Sequence, residues 1–243
     1  MLLFDRDDAK NPLADASFVF IPYCTGDVFS GDNVVELEGL LPWERETIYF
    51  HGYQNIQAYL ARLAPTFQGV DQVVVSGSSA GGFGAGMVWS AVQEAFPDAR
   101  VDVLDDSGPP ISPADGLWER WVETWNMQFP ADCVDCAAGI DGVLDYYRAV
   151  CFTRGRLALM SYHDDLVISS FFQLEPSLFA EQLDTLMDTL DTEPNAQYFV
   201  VDGISHTLLI AGYQLTESPD GLPLWRWVEQ MVDGDPDWSS VRP

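Results

Sequence analysis

An α/β fold, with a mostly parallel sheet and helices on both faces, is the fold class that this sequence predicts. Short apolar, β-branched runs alternate with segments whose apolar residues recur at helical spacing, which is typical of a parallel sheet covered by helices. A glycine-rich turn joins one such run, residues 73–75, to a helix-like segment that ends near residue 96. The length of 243 residues fits one such domain, so we predict a single domain over residues 1–243.

The individual elements follow from the same patterns in chain order. The predicted strands are 17–21, 34–41 and 46–50 as a hairpin, 72–75, 100–104, 155–161 and 197–201. The predicted helices are one that begins after residue 52 and others at 87–96, 171–190 and 222–232.

Residues 109–151 depart from this alternation and contain several tryptophans and three of the four cysteines. We interpret them as a cap-like insertion at the carboxyl edge of the sheet, in which Trp118 and Trp121 bind the substrate as an apolar wall. The alternative is a satellite core under a long loop.

The chain is strongly acidic, with 38 acidic and 11 basic residues and a net charge of −27. Such a surface repels nucleic acid and anionic membranes, so we predict neither as a partner. The charge either serves solubility or reflects adaptation to high salt, where screening relieves the repulsion. No apolar run reaches about 18 residues, so no membrane span is predicted. The first residues carry no signal-peptide pattern, and nothing indicates an oligomeric state.

The cysteines are Cys24, Cys133, Cys136 and Cys151. Cys133 and Cys136 have the spacing of a zinc or redox motif, but no second such pair and no nearby histidine completes a metal site. We therefore predict a local disulfide among the last three, most simply between Cys151 and one of the other two. A disulfide favours an oxidising compartment.

The turn Gly77-Ser78-Ser79-Ala80-Gly81 has the G-x-S-x-G pattern between a strand and a helix. A sharp turn in this context projects the central Ser79 hydroxyl from the end of the sheet as a nucleophile. The backbone N–H of Ala80 is then a candidate donor to an oxyanion. The alternative is a structural glycine-rich turn.

A serine nucleophile requires a base and an acid that orients it. His206 follows the last predicted strand and comes after Ser79 in the chain, which suits the base. The acid should follow the preceding strand, where Asp164 is our first choice and Asp165 the second. Asp106 is a weaker candidate for the acid. We expect His163 to line the site or to fill space beside the acid.

Three stretches resemble the pectin acetylesterase and Notum family of serine hydrolases. They are residues 20–32 (FIPYCTGDVFSGD), 77–82 (GSSAGG) and 106–108 (DSG), within a similarity from about Asn11 to His206. The resemblance implies an α/β-hydrolase fold and cleavage of O-acyl esters by a Ser-Asp-His triad without a metal or cofactor. Its motifs map onto Ser79, Asp164 and His206.

The beginning of the chain departs from the family. In members of the family, a Gly-rich segment with a Trp and a Cys precedes this region and supplies an inner strand and oxyanion-hole donors. In this sequence only ten residues precede Asn11. We therefore expect the strand between 17–21 and 72–75 to be missing, and the second oxyanion donor and any secretion signal with it. Exposed strand edges would make this 243-residue form poorly stable alone.

The expected function is a serine carboxylic-ester hydrolase of a small or polymeric ester, secreted or periplasmic. The tryptophans favour apolar or aromatic esters, whereas repulsion between two polyanions disfavours pectin, so pectin deacetylation is the alternative. Two further hypotheses remain. The protein has a hydrolase fold with little catalytic activity and acts by binding a ligand, or it is a peptidase on the same fold.

Overall fold

A computed structural model describes residues 5–38, 45–210 and 212–243. The strands are β1 (Asn33–Glu38), β2 (Arg45–Phe50), β3 (Gln72–Ser78), β4 (Arg100–Asp106), β5 (Leu157–Tyr162) and β6 (Ala196–Val201). The helices are α1 (Gly52–Thr66), α2 (Ala80–Met87), α3 (Trp89–Ala95), α4 (Leu117–Trp125), α5 (Ile140–Ala149), α6 (Leu166–Phe171), α7 (Pro176–Leu190) and α8 (Leu224–Asp233). Within these residues, no helix combines the length and the apolar composition that crossing a bilayer requires.

Strands β3, β4, β5 and β6 pair in that order as a four-stranded parallel sheet. Asp106, the last residue of the inner strand β4, lies opposite Ser78 of β3 on one side and Met160 of β5 on the other. Because the strands are parallel, their carboxyl ends share one edge of the sheet, and the loops that follow them meet there.

Helices cover both faces of this sheet, as the sequence predicts. Val103 and Leu159 belong to a core cluster that includes side chains of α2, α3 and α7. The neighbouring residues Leu104 and Met160 belong to a second cluster that includes Trp227 of α8. Successive strand residues therefore enter different cores, and strands buried on both faces explain the continuous apolar runs in the sequence. The architecture is consistent with an α/β-hydrolase fold.

The prediction of a strand at residues 17–21 is wrong. These residues belong to no strand, and Phe20 is 81% exposed. A short apolar run becomes a strand only where a neighbouring strand satisfies its backbone groups, and none of the described strands pairs with this one. Consequently β3 lies at an end of the described four-stranded sheet.

The predicted hairpin is confirmed in β1 and β2. The two strands are antiparallel, in a register that runs from Asn33 opposite Phe50 to Glu38 opposite Arg45. The end of the first predicted strand, at 39–41, lies outside the described residues. The hairpin forms a sheet of its own, separate from the parallel sheet.

The helix predicted at 171–190 is confirmed as α7, but it begins only at Pro176. Phe171 is instead the last residue of a separate helix, α6. Between them Gln173 has a φ of +57°, which an α-helix does not accommodate. Proline suits the first turn of a helix, where its missing N–H costs nothing, so Pro176 marks the start of α7.

A disulfide forms among the three cysteines of residues 109–151, as predicted, but the pairing differs from the one we expect. Cys133 and Cys136 are bonded to each other, with their Cα atoms 5.7 Å apart. The prediction that Cys151 takes part is wrong, because Cys151 is a buried free thiol. Burial, with a smaller contribution from Asp132, raises the pKa of that thiol to about 12. It lies just beyond α5, whereas the disulfide closes a short loop before that helix.

Candidate active site

Ser79 occupies the turn between β3 and α2, as the G-x-S-x-G pattern predicts. Its φ is +60°, a conformation that is uncommon for a residue with a side chain. A Cβ atom on Gly77 would lie 2.2 Å from the carbonyl oxygen of Gly81, so the turn requires glycine there. The N–H of Ser79 donates to the carbonyl oxygen of Asp106 at 2.6 Å, which attaches the turn to the central strand.

The N–H of Ala80 lies at the beginning of α2, directly after Ser79. The first backbone hydrogen bond of the helical type here runs from Phe83 N to Ser79 O, at 3.1 Å. The N–H groups that precede Phe83 in the helix therefore have no acceptor within it. They lie at the N-terminus, the positive end of the helix dipole. The role of the Ala80 N–H as an oxyanion donor stays a prediction.

His206 pairs with Asp165. Nδ1 of the imidazole lies 2.6 Å from Oδ2 of the Asp165 carboxylate, which is fully buried. The other carboxylate oxygen, Oδ1, accepts hydrogen bonds from the N–H groups of Val167 and Ile168 and so caps the N-terminus of α6. Both oxygens are thereby held in place. Nε2 of His206 is buried and has no hydrogen-bond partner among the residues that the structure describes.

The first-choice acid, Asp164, has different contacts. Oδ2 of Asp164 lies 3.4 Å from Nδ1 of His163, and Nε2 of His163 lies 3.1 Å from Oδ1 of Asp184 on α7. His163 is therefore held between two carboxylates, and neither contact involves His206. A sequence signal for Asp165 exists, because an aspartate immediately before an apolar helix is a typical N-cap.

Two loops that run side by side bring Asp165 and His206 together. The N–H of His163 donates to the carbonyl oxygen of Val201 at 2.9 Å, and that of Asp164 to the carbonyl oxygen of Gly203 at 3.0 Å. These bonds continue the pairing of β5 with β6 beyond the ends of both strands. The residues that follow, Asp165 and His206, are thus kept adjacent although 41 positions separate them.

The carboxylate of Asp106 connects the turn at Ser79 to the loop that carries His206. It accepts a hydrogen bond from the Ser78 hydroxyl at 2.6 Å. It also accepts the N–H of Leu208 at 2.6 Å and that of Leu209 at 3.1 Å. Burial raises its pKa, whereas these three donors and the nearby His206 oppose that shift. The sequence indicates Asp106 only as a candidate triad acid, and nothing in its local pattern signals this network.

The neighbouring carboxyl of Asp105 is buried on the other side of the strand. Burial raises its pKa to about 8, and the charge of Asp106 adds to the increase. The N–H of Gly108 donates to it at 2.8 Å and opposes the shift. Asp105 also lines a small cavity of about 10 Å³ with Tyr147 and Phe83.

Trp118 and Trp121 lie in an aromatic cluster beside the sheet. They are 4% and 8% exposed, and the Trp121 ring stacks on Trp125 at 5.3 Å and on Phe171 at 5.2 Å. This burial favours the satellite-core alternative, and substrate binding by the two tryptophans stays a prediction. Phe171 of α6, at 46% exposed, is the ring of this stack that reaches the surface.

Among the residues that the structure describes, no group of three or more His, Cys, Asp or Glu side chains is arranged to hold a metal ion.

Comparison with known proteins identifies the family. The profile of the family described as Pectinacetylesterase matches residues 2–125, about half of the chain. A relative, palmitoleoyl-protein carboxylesterase NOTUM of Schmidtea mediterranea, is 36% identical over 85 residues. That match covers 34% of this chain and only 15% of the relative. The matched residues include the turn at Ser79 and β4, and on this evidence the chain belongs to the pectinacetylesterase family.

Proposed function

We propose that this protein is a serine carboxylic-ester hydrolase that works through an acyl-enzyme intermediate. The observation that carries the proposal is the 2.6 Å contact between His206 Nδ1 and the Asp165 carboxylate. The other ring nitrogen, Nε2, is buried and has no hydrogen-bond partner among the described residues. His206 follows β6 and Ser79 follows β3, so both lie at the carboxyl edge of the parallel sheet. A free Nε2 is the atom that a base needs in order to accept a proton from a serine hydroxyl.

In the proposed reaction, His206 Nε2 takes the hydroxyl proton as Ser79 Oγ attacks the acyl carbonyl carbon. The Asp165 carboxylate holds the imidazole and stabilises its positive charge. The N–H of Ala80 donates to the oxyanion that forms. The imidazolium then returns the proton to the departing alcohol, and water, activated by the same imidazole, releases the acid from Ser79.

The contacts favour Asp165 as the acid, in place of Asp164. The carboxylate needs to be fixed and buried if it is to orient the imidazole, and Asp165 is held by two N–H groups of α6. Helix N-termini also favour a negative charge.

We propose apolar or aromatic esters as the substrates. Leu166 and Val167, which follow Asp165, and Ile204, which precedes His206, are all exposed. Together with Phe171 they place apolar surface around the acid and the base. The net charge of −27 disfavours a polyanionic substrate at low salt. Removal of acetyl groups from pectin, which the family description favours, is the alternative.

The Cys133–Cys136 disulfide supports an oxidising compartment, since such bonds are rare where thiols are kept reduced. We therefore propose that the protein acts outside the cytosol.

Turnover of aryl esters by the parent protein and by Ser79→Ala tests the proposal. Loss of the nucleophile should lower the rate by about 1000-fold or more and leave the fold intact. The matched control is Ser76→Ala, which removes an exposed hydroxyl from the same strand and should keep the parental rate. A Ser79→Ala variant that retains more than about a tenth of that rate would contradict the proposal. An acyl adduct on the peptide that contains Ser79 would support it independently.

The same assay separates the ester hydrolase from the deacetylase and the peptidase. Rates on short acyl, long acyl and aryl esters, on the matching amides and on acetylated pectin, each at low and at high salt, define the substrate class. Faster release of acetate from pectin than from any aryl ester, at every salt concentration, would favour the deacetylase.

A further inference from the structure

We propose that Asp106 is a positioning residue, which holds the nucleophile turn and the loop carrying His206 in one fixed arrangement. This inference rests on the proposed function, because the arrangement in question is that of Ser79 relative to His206. It assigns Asp106 a different role from that of the acid Asp165.

The nucleophile turn is attached to Asp106 at two points. The backbone carbonyl oxygen of Asp106 accepts the N–H of Ser79, and its carboxylate accepts the hydroxyl of Ser78, each at 2.6 Å. Two bonds to consecutive residues restrict both the position and the rotation of the turn. Ser79 has a positive φ, and surrounding contacts of this kind are what sustain a strained backbone.

The loop that carries His206 is attached to the same side chain. The carboxylate oxygens of Asp106 accept the N–H groups of Leu208 and Leu209, the second and third residues after His206. The N–H of Leu208 is at 2.6 Å from Oδ1 and that of Leu209 at 3.1 Å from Oδ2. A helical turn begins at Leu208, where the N–H of Gly212 donates to the carbonyl oxygen of Leu208. The Asp106 carboxylate accepts the N–H groups at the start of this turn, as the side chain of an N-cap residue does.

Ser107 adds a third bond to the same loop. Its hydroxyl oxygen accepts the N–H of Thr207 at 3.1 Å. Both Ser107 and Thr207 have positive φ values, +65° and +61°. Three consecutive N–H groups after His206 are therefore held by two consecutive residues at the end of β4, and the sheet itself fixes the base.

The Asp106 carboxylate and His206 also interact electrostatically. The carboxylate is fully buried, and the attraction of His206 opposes the rise in its pKa that burial causes.

The experiment compares Asp106→Asn with Asp102→Asn. Asp102 is a matched control on the same strand: it is fully buried and accepts hydrogen bonds from Gln72, Arg100 and the N–H of Arg156. It lies at the other end of β4, away from Ser79 and His206. Each variant loses one buried carboxylate, and we expect both to be less stable than the parent.

Only Asp106→Asn should affect the chemistry. We expect its kcat on an aryl ester to fall about 10- to 100-fold with little change in KM, because small displacements of reacting groups have effects of that size. Asp102→Asn should retain the parental kcat, once corrected for folded fraction, and the parental KM.

A second readout does not depend on catalysis. NMR measures amide exchange residue by residue, and in Asp106→Asn the amides of Leu208 and Leu209 should exchange faster with solvent, because the carboxylate that accepts both N–H groups is replaced. If the parent showed no Ser79-dependent turnover, the proposed function would fail, while this exchange measurement would still test the positioning.

If Asp106→Asn does not fold, Ser78→Ala replaces it, because this change removes one donor and keeps the carboxylate. We expect about a fivefold lower kcat at unchanged KM. The inference is wrong if the substituted protein keeps both the parental kcat and the parental exchange rates at Leu208 and Leu209. It is equally wrong if Asp102→Asn changes both to the same extent.

Discussion

Nδ1 of His206 lies 2.6 Å from Oδ2 of Asp165, whereas Asp164, one residue earlier, contacts His163. Two adjacent aspartates thus have separate partners. Only one of them is buried, and only that one is also fixed by the N-terminus of α6. The roles of the two residues can therefore be separated by single substitutions.

We expect Asp165→Asn to lower kcat by about 10,000-fold, because an amide in that position no longer holds the imidazole in the tautomer that accepts a proton at Nε2. Asparagine caps helices about as well as aspartate does, so α6 should remain folded. Asp164→Asn is the matched control and should retain kcat within about threefold, since its carboxylate is half-exposed and bonded elsewhere. Ester kinetics of the two variants decide the question. An equal loss in both would argue against Asp165 as the acid.

The two outer glycines of the G-x-S-x-G turn should respond differently to substitution by alanine. A Cβ at position 77 would lie 2.2 Å from the carbonyl oxygen of Gly81, whereas one at position 81 meets nothing within 4 Å. We expect Gly77→Ala to lower the free energy of unfolding by about 1–3 kcal/mol or more. Gly81→Ala should be neutral or stabilising by up to about 1 kcal/mol, since alanine favours the helix that contains it. Urea denaturation measures both, and equal destabilisation would contradict the geometry of this turn.

Asp105 should make the protein less stable as the pH rises. Burial raises its pKa to about 8, from about 3.9 in an unfolded chain. Between these values the folded state keeps the proton and the unfolded state releases it, so the free energy of unfolding falls with rising pH. Below that window both states are protonated, and the full stability is present.

Urea denaturation across that pH range, for the parent and for Asp105→Asn, measures the effect. The amide cannot ionise, so the stability of the variant should decline less steeply. Asp98→Asn removes an exposed carboxylate from the same acidic chain and controls for the change in net charge. A parental slope in Asp105→Asn would show that this carboxyl does not titrate in the window.

The sequence by itself determined the elements whose signals are local. The alternation of apolar runs with helical spacing predicted the parallel sheet, because strands buried on both faces must be apolar throughout. The turn at Ser79 was recognisable since it needs particular small residues between a strand and a helix, and His206 was placed by its position after the last strand of the sheet.

Tertiary structure alone decided the pairings between distant segments. Asp164 and Asp165 differ little in local pattern, and the parallel course of two loops selects which carboxylate meets His206. Cys136 bonds to Cys133 because the fold buries Cys151 elsewhere. The run at 17–21 has strand-like residues but no neighbouring strand among those described. In each case the pairing depends on which residue the fold brings within bonding distance. Residue periodicity along the chain carries no information about that distance.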